Sequence, residues 1–208
     1  RYAVWESSGS SGEPALFVQD AWSLAIYDAL EAMRRPSPRP LQRWLDPWYL
    51  GERVAFVGAT HGHFAAVVSA ERLRRLNPVW AARMRMVSFL QPAAKVDAEL
   101  DDFAPTILAT YPSMALLLAH ERVEGRLHAA PSEVWTGGET LSPATRHAIE
   151  TAFGCLVRDS YGASEFLSMA FECPHGRLHL NSDWVILEPV DAKGRPVPGD
   201  GVGDTTLL

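Results

Sequence analysis

Lysine is almost missing from this chain of 208 residues, with only Lys95 and Lys193 present. Neither follows a glycine, which excludes a Walker-type loop, where a Gly-Lys-Ser/Thr ending sends the lysine to the terminal phosphates. Cysteine is equally scarce. Cys155 and Cys173 are too few for a disulfide framework and suit a reducing compartment, so the expected location is cytoplasmic. No apolar run reaches the roughly 18 residues of a membrane span, and no signal peptide precedes the first motif; no membrane is expected as a partner. Excess positive charge is lacking too. The formal net charge is −6 and the arginines are scattered, the pairs Arg34-Arg35 and Arg74-Arg75 reading as solvated helix ends, which argues against nucleic acid. A serine-hydrolase elbow, Gly-x-Ser-x-Gly, is also absent. Gly162-Ala163-Ser164-Glu165-Phe166 lacks the second glycine, and Gly9-Ser10-Ser11-Gly12 has the wrong spacing.

What is present has ordinary globular proportions, 47% apolar and 21% charged, enough for one substantial domain or two small ones. Residues 16–35 read as a helix with Trp22, Ile26, Ala29, Leu30 and Met33 on one face. Prolines 36, 38 and 40 end it and open an irregular connection holding Trp44, Trp48 and Tyr49. From there strands and helices alternate. Strands are expected at 53–57, 86–90, 106–110, 133–136 and 156–160, and helices at 63–76, 97–103 and 112–123. A further helix carries Ser142 as N-cap, Pro143 at its first position and Gly154 just past its end. This alternation predicts an α/β fold, largely parallel sheets covered by helices. The last third differs: 179–181 and 184–190 read as strands, 191–194 as a turn and 195–198 as a return arm, a C-terminal antiparallel β appendage. The expected boundary separates an α/β core over 1–170 from a β-rich appendage over 171–208. Both chain ends fall inside strand-like patterns and read as cut.

One stretch has few uses other than binding. Ser7-Ser8-Gly9-Ser10-Ser11-Gly12-Glu13-Pro14 sits between the apolar segments 2–5 and 16–18. Successive N–H groups in such a loop form an anion-binding concavity, and serine hydroxyls add donors, so a polyphosphate is the natural guest. A flexible Ser/Gly linker is the duller alternative. Two further glycine-bearing motifs follow in order, Thr136-Gly137-Gly138-Glu139 and Tyr161-Gly162-Ala163-Ser164-Glu165.

These three motifs together resemble the adenylate-forming superfamily of acyl-CoA synthetases, adenylation domains and luciferases. The spelling of 135–142 and 159–165, with His179–Asp191, is most similar to its phenylacetate–CoA ligase branch, coenzyme F390 synthetase-like proteins included. The likeness runs through essentially the whole chain and implies part of the large N-terminal domain of such an enzyme. The implied chemistry is activation of a carboxylic acid, of aromatic type, by ATP to an acyl-adenylate with release of pyrophosphate. Coenzyme A thiol then attacks to give the thioester. By the same resemblance Ser7, Ser8, Gly9, Ser10, Ser11 and Gly12 wrap the β- and γ-phosphates. Gly137, Gly138 and Glu139 line the adenine pocket, Tyr161 and Gly162 complete it, and the Tyr161 ring stacks on the base. Ser164 bonds the α-phosphate and Glu165 ligates Mg²⁺. His61, beside Gly62 and His63, is the residue expected next to the acid, with Tyr111-Pro112-Ser113 as a second border.

Departures from the pattern matter as well. The loop threonine of the superfamily is Ser11 here, and the lysine usual after the loop proline is Ala15. The ribose-binding aspartate motif is not reached before Leu208, and the small C-terminal domain with its adenylation lysine is expected to be absent, leaving this fragment inactive alone. Two alternatives therefore stand: a degenerate or truncated non-catalytic nucleotide-binding or interaction module, and an adenylation domain that loads a carrier protein. Assembly as a dimer is left open. Cys173, His175 and His179 offer zinc-type ligands within seven residues, but no standard spacing; a buried cysteine is the better expectation.

Overall fold

The structure, a computed structural model, describes residues 2–7, 12–35, 39–60 and 62–197, together with the backbone of 205–207. The chain opens with a hairpin, β1 (Ala3–Glu6) and β2 (Leu16–Gln19), paired so that Val4 faces Val18. Then come α1 (Ala21–Arg34), α2 (Pro40–Leu45), β3 (Val54–Gly58), α3 (Ala65–Leu76), α4 (Pro78–Arg83) and β4 (Met84–Ser88). Alternation continues through α5 (Ala93–Phe103), β5 (Ile107–Thr110), α6 (Pro112–Val123), β6 (Glu133–Gly137), α7 (Pro143–Phe153) and β7 (Leu156–Tyr161). Four short strands follow: β8 (Ala170–Glu172), β9 (Leu178–Leu180), β10 (Glu188–Val190) and β11 (Thr205–Leu207).

The main sheet runs β4-β3-β5-β6-β7-β8-β9, parallel from β4 to β7 and antiparallel beyond. The expected α/β class with a largely parallel sheet is what the chain adopts. Its central strands are apolar on both faces, as burial on both sides demands. One face carries Ala55, Val57, Val87, Leu108, Val134 and Val157 against α5, α6 and α7, with Leu100, Leu118 and Ile149 filling the layer. Each such fully buried aliphatic side chain is worth about 1.5–3 kcal/mol relative to exposure. On the opposite face Val54, Ile107 and Trp135 pack with Tyr49 and Trp80. A third cluster there joins the hairpin to α1 and α3 through Trp5, Leu24 and Tyr27, with Ala65 and Val68 against them.

Where chain and expectation part, tertiary pairing is the cause. The helix expected over 16–35 begins only at Ala21, because Leu16–Gln19 pairs with β1 and Asp20 caps the helix, its Oδ1 accepting from Ser23 N at 2.8 Å. Its buried face is Leu24, Tyr27 and Leu30; Trp22 and Met33, expected inside, are 70% and 83% exposed. Helix α4 was not expected, yet Asn77 ends α3 and caps α4 at once, its Oδ1 accepting from Val79 N. Strand β4 begins two residues before the expected 86, and Trp184 lies in a turn, not a strand. The line drawn between residues 170 and 171 falls within β8, which extends the main sheet. Helix α7 matches its reading: Ser142 Oγ accepts from Thr145 N at 3.0 Å, and Gly154 closes the helix at φ +66°. Ser142→Ala is expected to cost about 1 kcal/mol, read as a lower urea midpoint with unchanged slope.

Candidate functional site

In the sheet, β3 is flanked by β4 on one side and β5 on the other, so the connections after β3 and β4 leave in opposite directions. Such a reversal of strand order opens a crevice at the carboxyl ends of parallel strands. Here the crevice is a cavity of about 980 Å³ on the α1–α3 side. Period-two alternation builds its inner wall: Phe56, Ala109, Trp135 and Gly137 line it, while their neighbours Val57, Leu108 and Val134 pack beneath α5–α7.

Two of the three motifs line this cavity from distant parts of the chain, and so does the residue just before the first. Gly137, Gly138 and Glu139 line it from the end of β6, and Gly162 and Ser164 from the loop after β7. Glu6, which leads into the Ser/Gly loop, lines it as well. Two contacts hold the hairpin there. The Trp5 indole, fully buried, donates from Nε1 to the Ser164 carbonyl at 2.7 Å. Glu6 N donates to the His63 carbonyl at 2.9 Å, and His63 N donates to Glu6 Oε1 at 3.2 Å. The neck of the loop is closed by Ser7 N donating to the Ala15 carbonyl, while Ser7 Oγ accepts from Ala15 N, both at 3.0 Å. Gly12 stands at φ +153°. Ser8, Gly9, Ser10, Ser11 and His61 lie outside the described residues.

The glycines of the second motif expose bare backbone. A Cβ on Gly137 would stand 3.0 Å from the Ser160 carbonyl oxygen, and Gly138, at φ +79°, lies against the Tyr111 ring. The Glu139 carboxylate accepts from Ser113 N and Ser113 Oγ, both at 3.0 Å. It thereby occupies one of the unpaired amides at the start of α6, where negative charge is favourable. Burial first, and Glu139 second, raise the Tyr111 phenol above its ordinary value. Behind the site, Thr136 Oγ1 donates to Asp159 at 2.6 Å, and Asp159 N donates to the buried Glu172, itself paired with Arg146. Burial raises the Asp159 carboxyl as well.

Four of the expected residues that are described stand apart from the wall, Ser7 and Gly12 among them. Tyr161 ends β7 with 43% of its surface exposed, and Glu165 is exposed one residue beyond Ser164; neither lines the cavity. Cys173, His175 and His179 surround the β8–β9 turn, and among the described residues no three His, Cys, Asp or Glu side chains gather as a metal site. The Cys155 thiol, pushed up to about 11 by burial and then by Glu133, is protonated at neutral pH.

Several wall residues escaped the sequence reading. Trp135 could have been found, since it stands two residues before Gly137 and so on the same face of β6. Arg35 gave no signal and was read as half of a solvated pair. Arg34 does reach solvent and pairs with Asp183, but Arg35 is 9% exposed and lines the cavity. Tyr111 and Ser113, the second border suggested for the acid, line it too.

No protein-family model matches the chain. No curated protein matches it either. Solved structures do, and several of them are acid–CoA ligases. The chain is similar to 2-hydroxyisobutyryl-CoA ligase in complex with 2-HIB-AMP and CoA, at 22% identity over 94% of this chain and 45% of the other, with TM-score 0.63. It is similar to an anthranilate CoA ligase in complex with anthranoyl-AMP, at 17% identity over 96% and 37%, TM-score 0.62. A benzoate CoA ligase from Burkholderia xenovorans LB400 gives 18% identity over 91% and 37%, TM-score 0.59. The chain therefore shares the fold of the parts of these ligases that it covers. The chain spans less than half the length of these ligases.

Proposed function

We propose that this chain holds the nucleotide- and acid-binding part of an ATP-dependent, AMP-forming acid–CoA ligase of the phenylacetate–CoA ligase type, acting on an aromatic acid. The observation that carries the reading is convergence: Glu6 at the foot of the Ser/Gly loop, Gly137–Glu139 and Gly162–Ser164 border one cavity.

The bare backbone at Gly137 and Gly138 suits a flat base laid against the main chain, and Tyr161, exposed beside Gly162, would turn in to cover it. Loop amides and hydroxyls from Ser7 to Gly12 would cradle the terminal phosphates, and Ser164 would bond the α-phosphate. Arg35 is the one basic side chain among the described residues that line the cavity, and both lysines lie elsewhere. The charge of a triphosphate must then be met by backbone donors and by a metal. Glu165, exposed beside Ser164, is a hard oxygen donor of the kind Mg²⁺ takes, and the ion would neutralise phosphate charge. The protein's own contribution is positional: it brings the acid's carboxylate in line with the α-phosphorus, limits water, and holds the resulting acyl-adenylate for attack by the CoA thiol.

Calorimetric titration with ATP·Mg²⁺ is expected to show binding that Glu165→Ala weakens roughly tenfold, about 1.4 kcal/mol. Equal heats for the two proteins would remove Glu165 from the metal. Acid-dependent pyrophosphate exchange, measured on this chain and on any longer polypeptide containing it, tests the chemistry. Ala15, in place of the lysine of the resembled family, favours the second reading, a non-catalytic nucleotide-binding module. ATP binding without exchange by the longer polypeptide for any acid would establish that reading.

A further inference from the structure

Two cavities meet at one side chain. Behind the crevice at the strand ends lies a second cavity of about 280 Å³, set between α1, α3 and the first residues of β3 and β4. Among the described residues, Trp135 and Leu167 line both. Trp135 is the partition. Arg35, on the first cavity's side, lies over its ring, the guanidinium carbon 4.4 Å from the centroid. Tyr49, on the second cavity's side, packs edge-on to the same ring at 5.0 Å. The indole Nε1 donates to Glu133 Oε2 at 3.0 Å, and the Glu133 carboxylate is buried and paired with Arg39. Held on three sides, the ring is fixed in place.

Length and charge say what each side takes. Along β6, Trp135 lies two residues before Gly137, roughly 6–7 Å deeper, a span filled by one six-membered ring. An acid whose carboxylate lies at Gly137 therefore meets the indole after a single ring. The second cavity is walled by Leu24, Tyr27, Val54, Leu73, Trp80 and Met84, and so is largely apolar. Its charged neighbours are already matched, Asp28 with Arg72 and Glu31 with Arg35. A further charge brought there would lose its water and find no partner, whereas a neutral apolar group gains from the burial. Size permits it: a cavity of about 150 Å³ lined by apolar side chains holds a benzene.

We infer that Trp135 is a specificity-determining residue that limits the acid to one ring. The cavity behind it is a preformed site for the uncharged distal ring of a longer acid, closed until that wall is cut. The inference rests on the ligase reading for which end of the acid faces Gly137, so binding and chemistry are read separately. Benzoate, biphenyl-4-carboxylate and biphenyl-4,4′-dicarboxylate are titrated onto the chain by calorimetry without nucleotide. Each is then supplied, in the pyrophosphate-exchange assay, to a longer polypeptide containing the chain. Wild type is expected to bind benzoate about tenfold more tightly than either two-ring acid. Trp135→Ala is expected to bind biphenyl-4-carboxylate about tenfold more tightly than benzoate, with the dicarboxylate still weak. Trp135→Phe, which keeps a ring against Tyr49, is expected to retain the wild-type order. Leu167→Ala cuts the same wall elsewhere and is expected to shift the preference in the same direction. It decides the matter if thermal melts show that Trp135→Ala does not fold. A merely structural role would weaken all three acids together and would not exchange their order.

Equal wild-type affinity for benzoate and biphenyl-4-carboxylate, no binding of any acid, or an order unchanged in both Trp135→Ala and Leu167→Ala would overturn the assignment. So would tight binding of the dicarboxylate by Trp135→Ala. An order of binding that stays fixed while exchange with benzoate continues overturns it and leaves the ligase reading intact. Reversed binding with no exchange in the longer polypeptide for any acid upholds the partition and sinks the ligase.

Discussion

Gly162→Ala is expected to unfold the loop after β7 and to abolish nucleotide binding with it. A Cβ at this position would stand 1.9 Å from the Leu167 carbonyl oxygen and 2.8 Å from its carbon, both backbone atoms. Nothing flexible can move aside. The tight turn that brings them together is pinned by Ala163 N donating to the Phe166 carbonyl and Phe166 N to that of Ala163. Phe166 in turn packs edge-on to Tyr27, with ring centroids 5.0 Å apart, so the turn cannot open without disturbing α1. Overpacking of a closed site costs about 1–3 kcal/mol or more. In a chain of this size that lowers the melting temperature by roughly 2–12 °C. Gly154→Ala is the matched control. It faces open space at φ +66° and carries only the left-handed backbone penalty, about 1 kcal/mol. If Gly162→Ala melts with or above Gly154→Ala and still binds ATP·Mg²⁺, the loop does not take this path.

The second expectation concerns a carboxyl the site does not use. Asp97 on α5 is buried, and neither of its oxygens has a hydrogen-bond partner. Burial, then the facing Glu121 carboxylate, push its pKa up to about 6; Asp101 adds to this and Arg126 opposes it. Asp101 is itself held by His128 and by the Ala129 amide. Because the folded value lies above the ordinary 3.8, the folded state holds more protons between pH 4 and 6, and stability falls as pH rises through that window. Above it the penalty is fully present. Asp97→Asn removes the charge and is expected to stabilise the chain by about 2 kcal/mol at pH 7.5, roughly 4–8 °C in melting temperature. The gain should shrink towards nothing as pH falls to 4. A gain independent of pH, or a loss at pH 7.5, would show that Asp97 is paired as an anion.

Elements governed by local chemistry were legible before any contact was known. Helix α6 matched its reading at both ends, and α7 its capping, because cap, first-turn proline and closing glycine act within a few residues. The apolar strands β3 and β5 were legible for a similar reason: a strand buried on both faces is apolar nearly throughout. Strand β2 was not legible. Leu16-Phe17-Val18 fits a helix start as well as a strand, and only pairing with β1, on the far side of the Ser/Gly loop, decides between them. The exposure of Trp22 and Met33 follows from the same choice, since the hairpin and α3 settle which side of α1 turns inward.

The candidate site divides along the same line. The three ordered motifs, through the family they resemble, singled out Gly137–Glu139 and Gly162–Ser164, while scarce lysine only excluded a Walker-type loop. Arg35 was beyond reach. A charged residue at a helix end is solvated by default, and it becomes a buried wall only when β6 and β8 set Trp135 and Phe171 against it. Alternation and capping are properties of neighbours in the chain; burial, and the partners of a charge, are properties of neighbours in space.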